Sequence, residues 1–127
     1  MTESNPLQRT AEWLHQRAGC LTASRAAAVL SRSKRTGEPL QAYYDLQDQI
    51  IAERITGQSI GVWTTAAMQW GIDHEGDARV AYQVETGEVV DLVGFVLHPT
   101  IARLGASPDG LVGADGLVEI KCPNTVT

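Results

Sequence analysis

The chain has 127 residues, 43% of them hydrophobic and 20% charged, with a formal net charge of −5. That length and balance suit one globular domain with a single core, read here as residues 1–127, and exclude a chain disordered by composition. The acidic balance argues against a protein that coats nucleic acid by charge alone, because such binding rests on Lys and Arg neutralising phosphates.

The opening MTESNPLQRTAEW lacks the basic-then-apolar start of a leader. No stretch approaches the roughly 18 apolar residues of a membrane span, so the sequence reads as cytoplasmic with no membrane partner. Thr10 suits the cap of a short helix carrying Trp13, Leu14 and Arg17, which Gly19 ends. A second helix is expected from Thr22–Ser24 to about Ser31. The polar stretch SRSKRTGEP then reads as the most loop-like and mobile part of the chain. Pro39 suits the first turn of a third helix, with Leu40, Tyr43, Tyr44, Ile50, Ile51 and Ile55 on one core-facing side and Gly57 as its stop. Thr64 or Thr65 opens a longer fourth helix with Trp70, Ala78, Ala81, Tyr82 and Val84, closed by Gly87. Gly71 and Gly76 within it weaken helix propensity, and close approach of another backbone would account for them. After Gly87 the pattern changes. EVVDLVGFVLHP reads as one strand and IARLGAS as another, and DGLVGADGLVEIKCP reads as a hairpin turning at Asp115-Gly116. Helices followed by a meander give an α+β fold with an antiparallel or mixed sheet.

Charge is unevenly placed along this order. Arg17, Arg25, Arg32, Lys34 and Arg35, half of the ten Lys and Arg, fall between Trp13 and Gly37, where no Asp or Glu occurs. A basic strip opposite an acidic, metal-collecting site is what a phosphodiester-cutting enzyme needs; a solvated helix–loop surface is the alternative. Cys20 and Cys122 stand far apart, in no CxxC pair or Cys/His cluster, so zinc and iron–sulfur sites have no support.

The acidic site is Asp109, Glu119 and Lys121, a PD…ExK arrangement. Phosphodiester hydrolysis requires charge neutralisation and a hydroxide near neutral pH, and Mg²⁺, or Mn²⁺ in its place, supplies both when held by two or three carboxylates. Glu119 and Lys121 share a strand face, with Ile120 on the other. Tight pairing of Val112 with Leu117 would set Asp109 opposite Ile120, on the wrong face. The catalytic reading therefore requires an odd-length loop or a bulge at Gly113 or Gly116. Asp109 equally suits an ordinary turn in Ser-Pro-Asp-Gly, and Glu119 and Lys121 an exposed strand face.

Four ordered blocks resemble the lambda exonuclease family, the YqaJ-like viral recombinases of the PD-(D/E)xK nuclease superfamily: WLHQRAGCLTAS, QWGIDHEGDAR, GASPDGLV and VEIKCP. The resemblance implies a restriction-endonuclease-like core, C-terminally incomplete at this length, in a host-bacterial or prophage-encoded protein. It implies Arg17, Ser24 and Ser107 as contacts to the 5′ phosphate, with Arg25 and Arg35 of the basic strip also on DNA. It further implies Asp109, Glu119, Glu75 and the Ile120 carbonyl at the metal. The implied activity is 5′→3′ exonuclease digestion of linear double-stranded DNA to mononucleotides, by a homotrimer working with a single-strand annealing protein. A truncated or inactive DNA-end-binding remnant and an endonuclease of the same fold are the competing readings. His74, His15 and His98 read as surface residues, and Trp13 and Trp70 as packing residues.

Overall fold

A computed structural model of the chain describes residues 6–61 and 64–124. Residues 1–5 of the opening MTESNPLQRTAEW, read above as leaderless, and the closing residues 125–127 lie outside the described residues. The chain forms two compact units, Met1–Ile60 with Gly94–Ser107, and Gly61–Val93 with Pro108–Thr127.

In the first unit, α1 (Ala11–Arg17) starts where the Thr10 side chain accepts the Trp13 N–H. A two-residue strand β1 (Leu21–Thr22) follows, absent from the sequence reading. The expected second helix is broken into a 3-10 turn (Ala23–Arg25) and a single α-turn, α2 (Ala26–Val29), because pairing of Leu21 and Thr22 in a sheet delays its start. The SRSKRTGEP loop is closed by its own hydrogen bonds, Ser33 to Glu38, Gly37 to Ser33 and Leu40 to Ser31, with Arg32 bridging Pro39. The third helix, α3 (Gln41–Thr56), ends as expected at Gly57, whose φ of 69° is left-handed. Its buried residues are Leu46 and Glu53, two turns apart, whereas Tyr44, Ile51 and Ile55 are exposed. Tyr43 and Ile50 are half-buried on the same side, so the inward side takes in only part of the apolar face expected from spacing. Trp13, Cys20 and Phe95 form the buried cluster of this unit.

The second unit is built on α4 (Ala66–Thr86), which runs between an N-cap at Thr65 and a left-handed C-cap at Gly87, both as expected. No residue of α4 is buried; Trp70 and Tyr82 are partly open and Val84 is 80% exposed. A Cβ at Gly71 would make only ordinary contact with the Cys122 carbonyl, and one at Gly76 would meet nothing. The close approach expected at these glycines is therefore not what selects them.

The expected single strand of residues 88–99 is two strands, because the chain passes at Gly94 from the second unit back into the first. β3 (Val96–Leu97) pairs antiparallel with β4 (Leu104–Ala106), which runs parallel to β1 in the first unit. β2 (Val90–Asp91), β5 (Gly110–Val112) and β6 (Gly116–Val118) form the antiparallel sheet of the second unit. The fold is α+β, with four α-helices and short antiparallel and mixed sheets among the described residues, as the order of patterns implied.

Gly110 is a position that only glycine fits: a Cβ there would lie 2.2 Å from Cγ1 of buried Val90, a β-branched side chain with little freedom to move. Gly110→Ala is expected to destabilise the second unit by roughly 1–3 kcal/mol, read by thermal unfolding; an unshifted transition would show that the β2–β5 contact is looser than described.

Candidate active site

Two residue groups stand out, one in each unit. In the second unit the β5–β6 hairpin decides the geometry. Its register, Gly110↔Val118, Leu111↔Leu117 and Val112↔Gly116, leaves a loop of three residues, Gly113 to Asp115, with the positive φ at Gly113. The turn thus lies one position earlier than Asp115-Gly116, and Gly116 belongs to β6. An odd loop is what the catalytic reading requires: continued by one step, this register sets Asp109 opposite Glu119.

β6 ends at Val118, so Glu119, Ile120 and Lys121 follow the strand rather than lie in it. The reason is Pro108, which would face Ile120 in the same register and has no N–H to offer. The Ile120 N–H instead donates to Asp109 Oδ2 at 2.6 Å. The Asp109 carboxylate therefore reaches across the hairpin, unlike a turn residue bonding to its own loop. Its pKa is raised: burial pushes it up, the Ile120 N–H opposes this, and the charges of Glu119 and Glu75 push it up further against the pull of Lys121. Three carboxylates thus crowd one another electrostatically.

Glu119 and Lys121 are exposed, 53% and 80% at the side chain, and the Lys121 ammonium hydrogen-bonds the Glu119 carboxylate. That bond holds the Lys121 pKa above its ordinary value; burial opposes it, and the Glu119 and Asp109 charges add to the rise. Glu75 is half-buried on α4, held at 2.7 Å by Arg79 one turn on. His74 stacks on Trp70, with ring centroids 3.8 Å apart, and its Nδ1 lies 2.8 Å from the Trp70 carbonyl. It is engaged locally, and Trp70 is a partner of His74 rather than a core residue.

Among the described residues no three His, Cys, Asp or Glu side chains converge closely enough to hold a metal ion. The chemistry of the donors nevertheless fits a hard divalent cation. They are carboxylate oxygens, and the burial that raises Asp109, with the neighbouring negative charges after it, is what such a cation offsets.

In the first unit two of the residues expected at the DNA end, Arg17 and Ser107, meet at Trp13. The Arg17 guanidinium lies over the Trp13 ring at 4.1 Å from its centroid, and the Trp13 indole N–H donates to Ser107 Oγ at 3.0 Å. Ser107 thus accepts from Trp13 and keeps its own hydroxyl proton for another partner. Ser24 shares a hydrogen bond of 3.0 Å with Thr22 and is otherwise exposed. Arg17 Nε is buried with no hydrogen-bond partner among the described residues. The pKa of Arg17 is lowered by burial first and by neighbouring Arg25, with Glu53 pulling the other way. A half-buried guanidinium in this state favours an anion.

The basic strip divides accordingly. Both terminal nitrogens of Arg25 are taken up by Glu53 at 3.0 and 2.7 Å, Arg32 folds back on the Val29 and Ser31 carbonyls, and Lys34 and Arg35 are exposed. Trp13 and Glu53 carry no charge pattern that marks them; the first reads as core, and the second is one of several acids on α3.

No helix among the described residues is long and apolar enough to cross a membrane. No curated protein matches the chain. Among solved structures, it is similar to LHK-Exo in complex with dAMP, with 46% identity and a TM-score of 0.78 over 91% of this chain and 54% of that one. It is equally similar to an alkaline exonuclease, LHK-Exo, from Laribacter hongkongensis, with 47% identity and a TM-score of 0.78 over 91% and 55% of the two chains. The chain spans a little over half the length of these relatives. The model of the YqaJ-like viral recombinase domain matches residues 12–127, nearly the whole chain. The order of blocks, the parity of the hairpin and these matches agree: the chain belongs to the YqaJ-like viral recombinase family.

Proposed function

We propose that residues 1–127 act as one nuclease domain, a metal-dependent 5′→3′ exonuclease that digests linear double-stranded DNA to mononucleotides in phage-type recombination. The observation that carries this reading is the hairpin, whose odd loop and Asp109–Ile120 bond set Asp109 against Glu119 and Lys121. A solved relative is in complex with dAMP, a nucleoside monophosphate of the kind such digestion releases.

Mg²⁺, or Mn²⁺ in its place, would be held by Asp109, Glu119, the Ile120 carbonyl and Glu75, and when bound supplies a water of lowered pKa and a counter-charge for the phosphate. Asp109 is oriented for this by the Ile120 N–H. Lys121, with its pKa pushed up, serves as an ammonium that orients the attacking water and opposes the charge on the scissile phosphate, rather than as a base. In the first unit Arg17 grips the terminal 5′ phosphate, with the Ser24 and Ser107 hydroxyls as further donors. Arg35, exposed, meets the DNA backbone. A cytoplasmic site of action, a homotrimeric assembly and a single-strand annealing partner belong to the same proposal.

A DNA-end binder without turnover is the second reading, favoured by one observation: Glu119 is engaged by Lys121 and the acids form no three-ligand cluster among the described residues. Incubation with Mg²⁺ of a 5′-phosphorylated linear duplex and a closed circular plasmid separates the readings. Nucleotide release from linear DNA alone is expected; cutting of the circle would point to an endonuclease, and a mobility shift without cutting to the binder.

The repulsion at Asp109 gives a test independent of turnover. Because the folded pKa is raised, ionising Asp109 opposes folding as pH rises through the carboxylate range, and a bound cation offsets this. Mg²⁺ at about 100 times its Kd is expected to stabilise the chain by about 2.7 kcal/mol at neutral pH. Asp109→Asn, which keeps an acceptor for the Ile120 N–H, is expected to lose most of that gain. Equal stabilisation of both proteins in thermal unfolding would remove Asp109 from the metal site.

A further inference from the structure

We infer that Glu53 is the positioning residue of the end-binding group, fixing the segment from Arg17 to Arg25 in the conformation that takes up a terminal phosphate. The inference rests on the reading of Arg17 and Ser24 as 5′-phosphate contacts.

Glu53 has a side-chain exposure of 0% and lies in the last turns of α3, yet it is a carboxylate. Its two oxygens accept four hydrogen bonds. Oε1 receives Arg25 Nη2 at 2.7 Å and the Ile60 N–H at 3.0 Å; Oε2 receives Arg25 Nη1 at 3.0 Å and the Gly19 N–H at 2.9 Å. A buried charge persists only where it is matched in this way.

The next residue of α3 completes a clamp, since Arg54 Nε donates to the Gly19 carbonyl at 3.0 Å. The backbone N–H and C=O of Gly19 are thus both held by consecutive side chains of one helix. Gly19 is suited to this alone: its φ is +71°, and a Cβ there would come within 2.5 Å of Arg54 Cγ and 3.4 Å of the Arg54 backbone. Gly19 lies two residues after Arg17 and five before Ser24, so its fixation sets the path of the chain between them. Arg25, at the far end of that path, is locked as a two-pronged pair with the same carboxylate.

The charge balance has a consequence. Arg25 is neutralised by Glu53, and Arg54 spends its Nε on the Gly19 carbonyl, whereas Arg17 Nε has no partner among the described residues. Glu53 thereby takes Arg25 out of competition for the anion and leaves it to Arg17.

The test compares binding of two short duplexes, identical except for a 5′-phosphate or a 5′-hydroxyl end, by the full chain and its variants, with folding checked by circular dichroism. Wild type is expected to prefer the phosphate end, and Arg17→Ala to lose that preference. Glu53→Gln leaves a more positive cluster, so charge alone would tighten its binding to both ends. Positioning instead predicts that the phosphate-to-hydroxyl ratio falls by roughly tenfold, the equivalent of one hydrogen bond to a charged group. Should the single variant fail to fold, Glu53→Gln with Arg25→Met removes both buried charges together, and the same fall in ratio is expected. A folded variant that keeps the wild-type ratio, while Arg17→Ala loses it, overturns the inference. Weakening of both ends alike, or tighter binding of the phosphate end, overturns it equally. A wild-type chain that binds both ends alike overturns the end-binding reading beneath it.

Discussion

Lys121→Ala is expected to lower nucleotide release from 5′-phosphorylated linear duplex by about 10²- to 10⁴-fold, the range for a positioned group acting on the reacting water and phosphate. The melting temperature is expected to stay where it is, because the Lys121–Glu119 pair is solvent-exposed and such pairs contribute about 0–1 kcal/mol. Binding to the DNA end is expected to persist, since Arg17, Trp13 and Ser107 belong to the other group of residues. Lys121→Arg keeps a positive charge but replaces a compact ammonium with a broad planar fork, so it is expected to recover little of the rate. Single-turnover release of mononucleotide measures the effect. A variant that cuts at the wild-type rate would remove Lys121 from the chemistry and with it the role given to the ExK segment.

Glu53→Ala is expected to have the largest effect on stability, roughly 3–5 kcal/mol, because it leaves the Arg25 guanidinium and the Gly19 and Ile60 N–H groups without their acceptor in a buried place. Denaturant unfolding reads this directly, and a loss below 1 kcal/mol would mean that water replaces the carboxylate. The same group shapes the acid limb of stability. Burial pushes the Glu53 pKa up, but the hydrogen bonds from Arg25, Gly19 and Ile60 together with the Arg25 charge outweigh it and hold the carboxyl below its ordinary value. A depressed folded pKa means that the contribution is complete above the unfolded value of about 4.3 and is lost as pH falls through the lower folded value. Wild type is therefore expected to lose stability more steeply than Glu53→Gln below about pH 4.3. Parallel acid limbs would show that other carboxylates carry this dependence.

These two residues mark opposite ends of what the sequence displays. Lys121 stands out because it sits two places from Glu119 in a recognisable spacing, and the parity argument for the hairpin could be framed before any coordinates, since strand side chains alternate with a period of two. Glu53 gives no such signal. It lies on a helix with other acids, and the apolar spacing centres the inward face on Tyr44, Ile51 and Ile55, which are exposed, rather than on the side with Leu46 and Glu53 buried. Apolar spacing ranks faces by hydrophobicity, and a charge that is buried because four donors meet it is invisible to that ranking.

The sequence by itself determined several helix ends and framed the parity of the hairpin as a condition, which the register of β5 and β6 then met. Thr10 and Thr65 cap and Gly57 and Gly87 stop, each through hydrogen-bonding and φ preferences that act within a few residues. Only the tertiary structure decided that residues 88–99 divide between two sheets, that Trp13 reaches Ser107, and that Glu53 joins Gly19 to Arg25. The last two depend on which segments meet across separations of 28 to 94 residues. The burial that makes a carboxylate seek a guanidinium, or an indole N–H a hydroxyl, does not exist until the chain has folded.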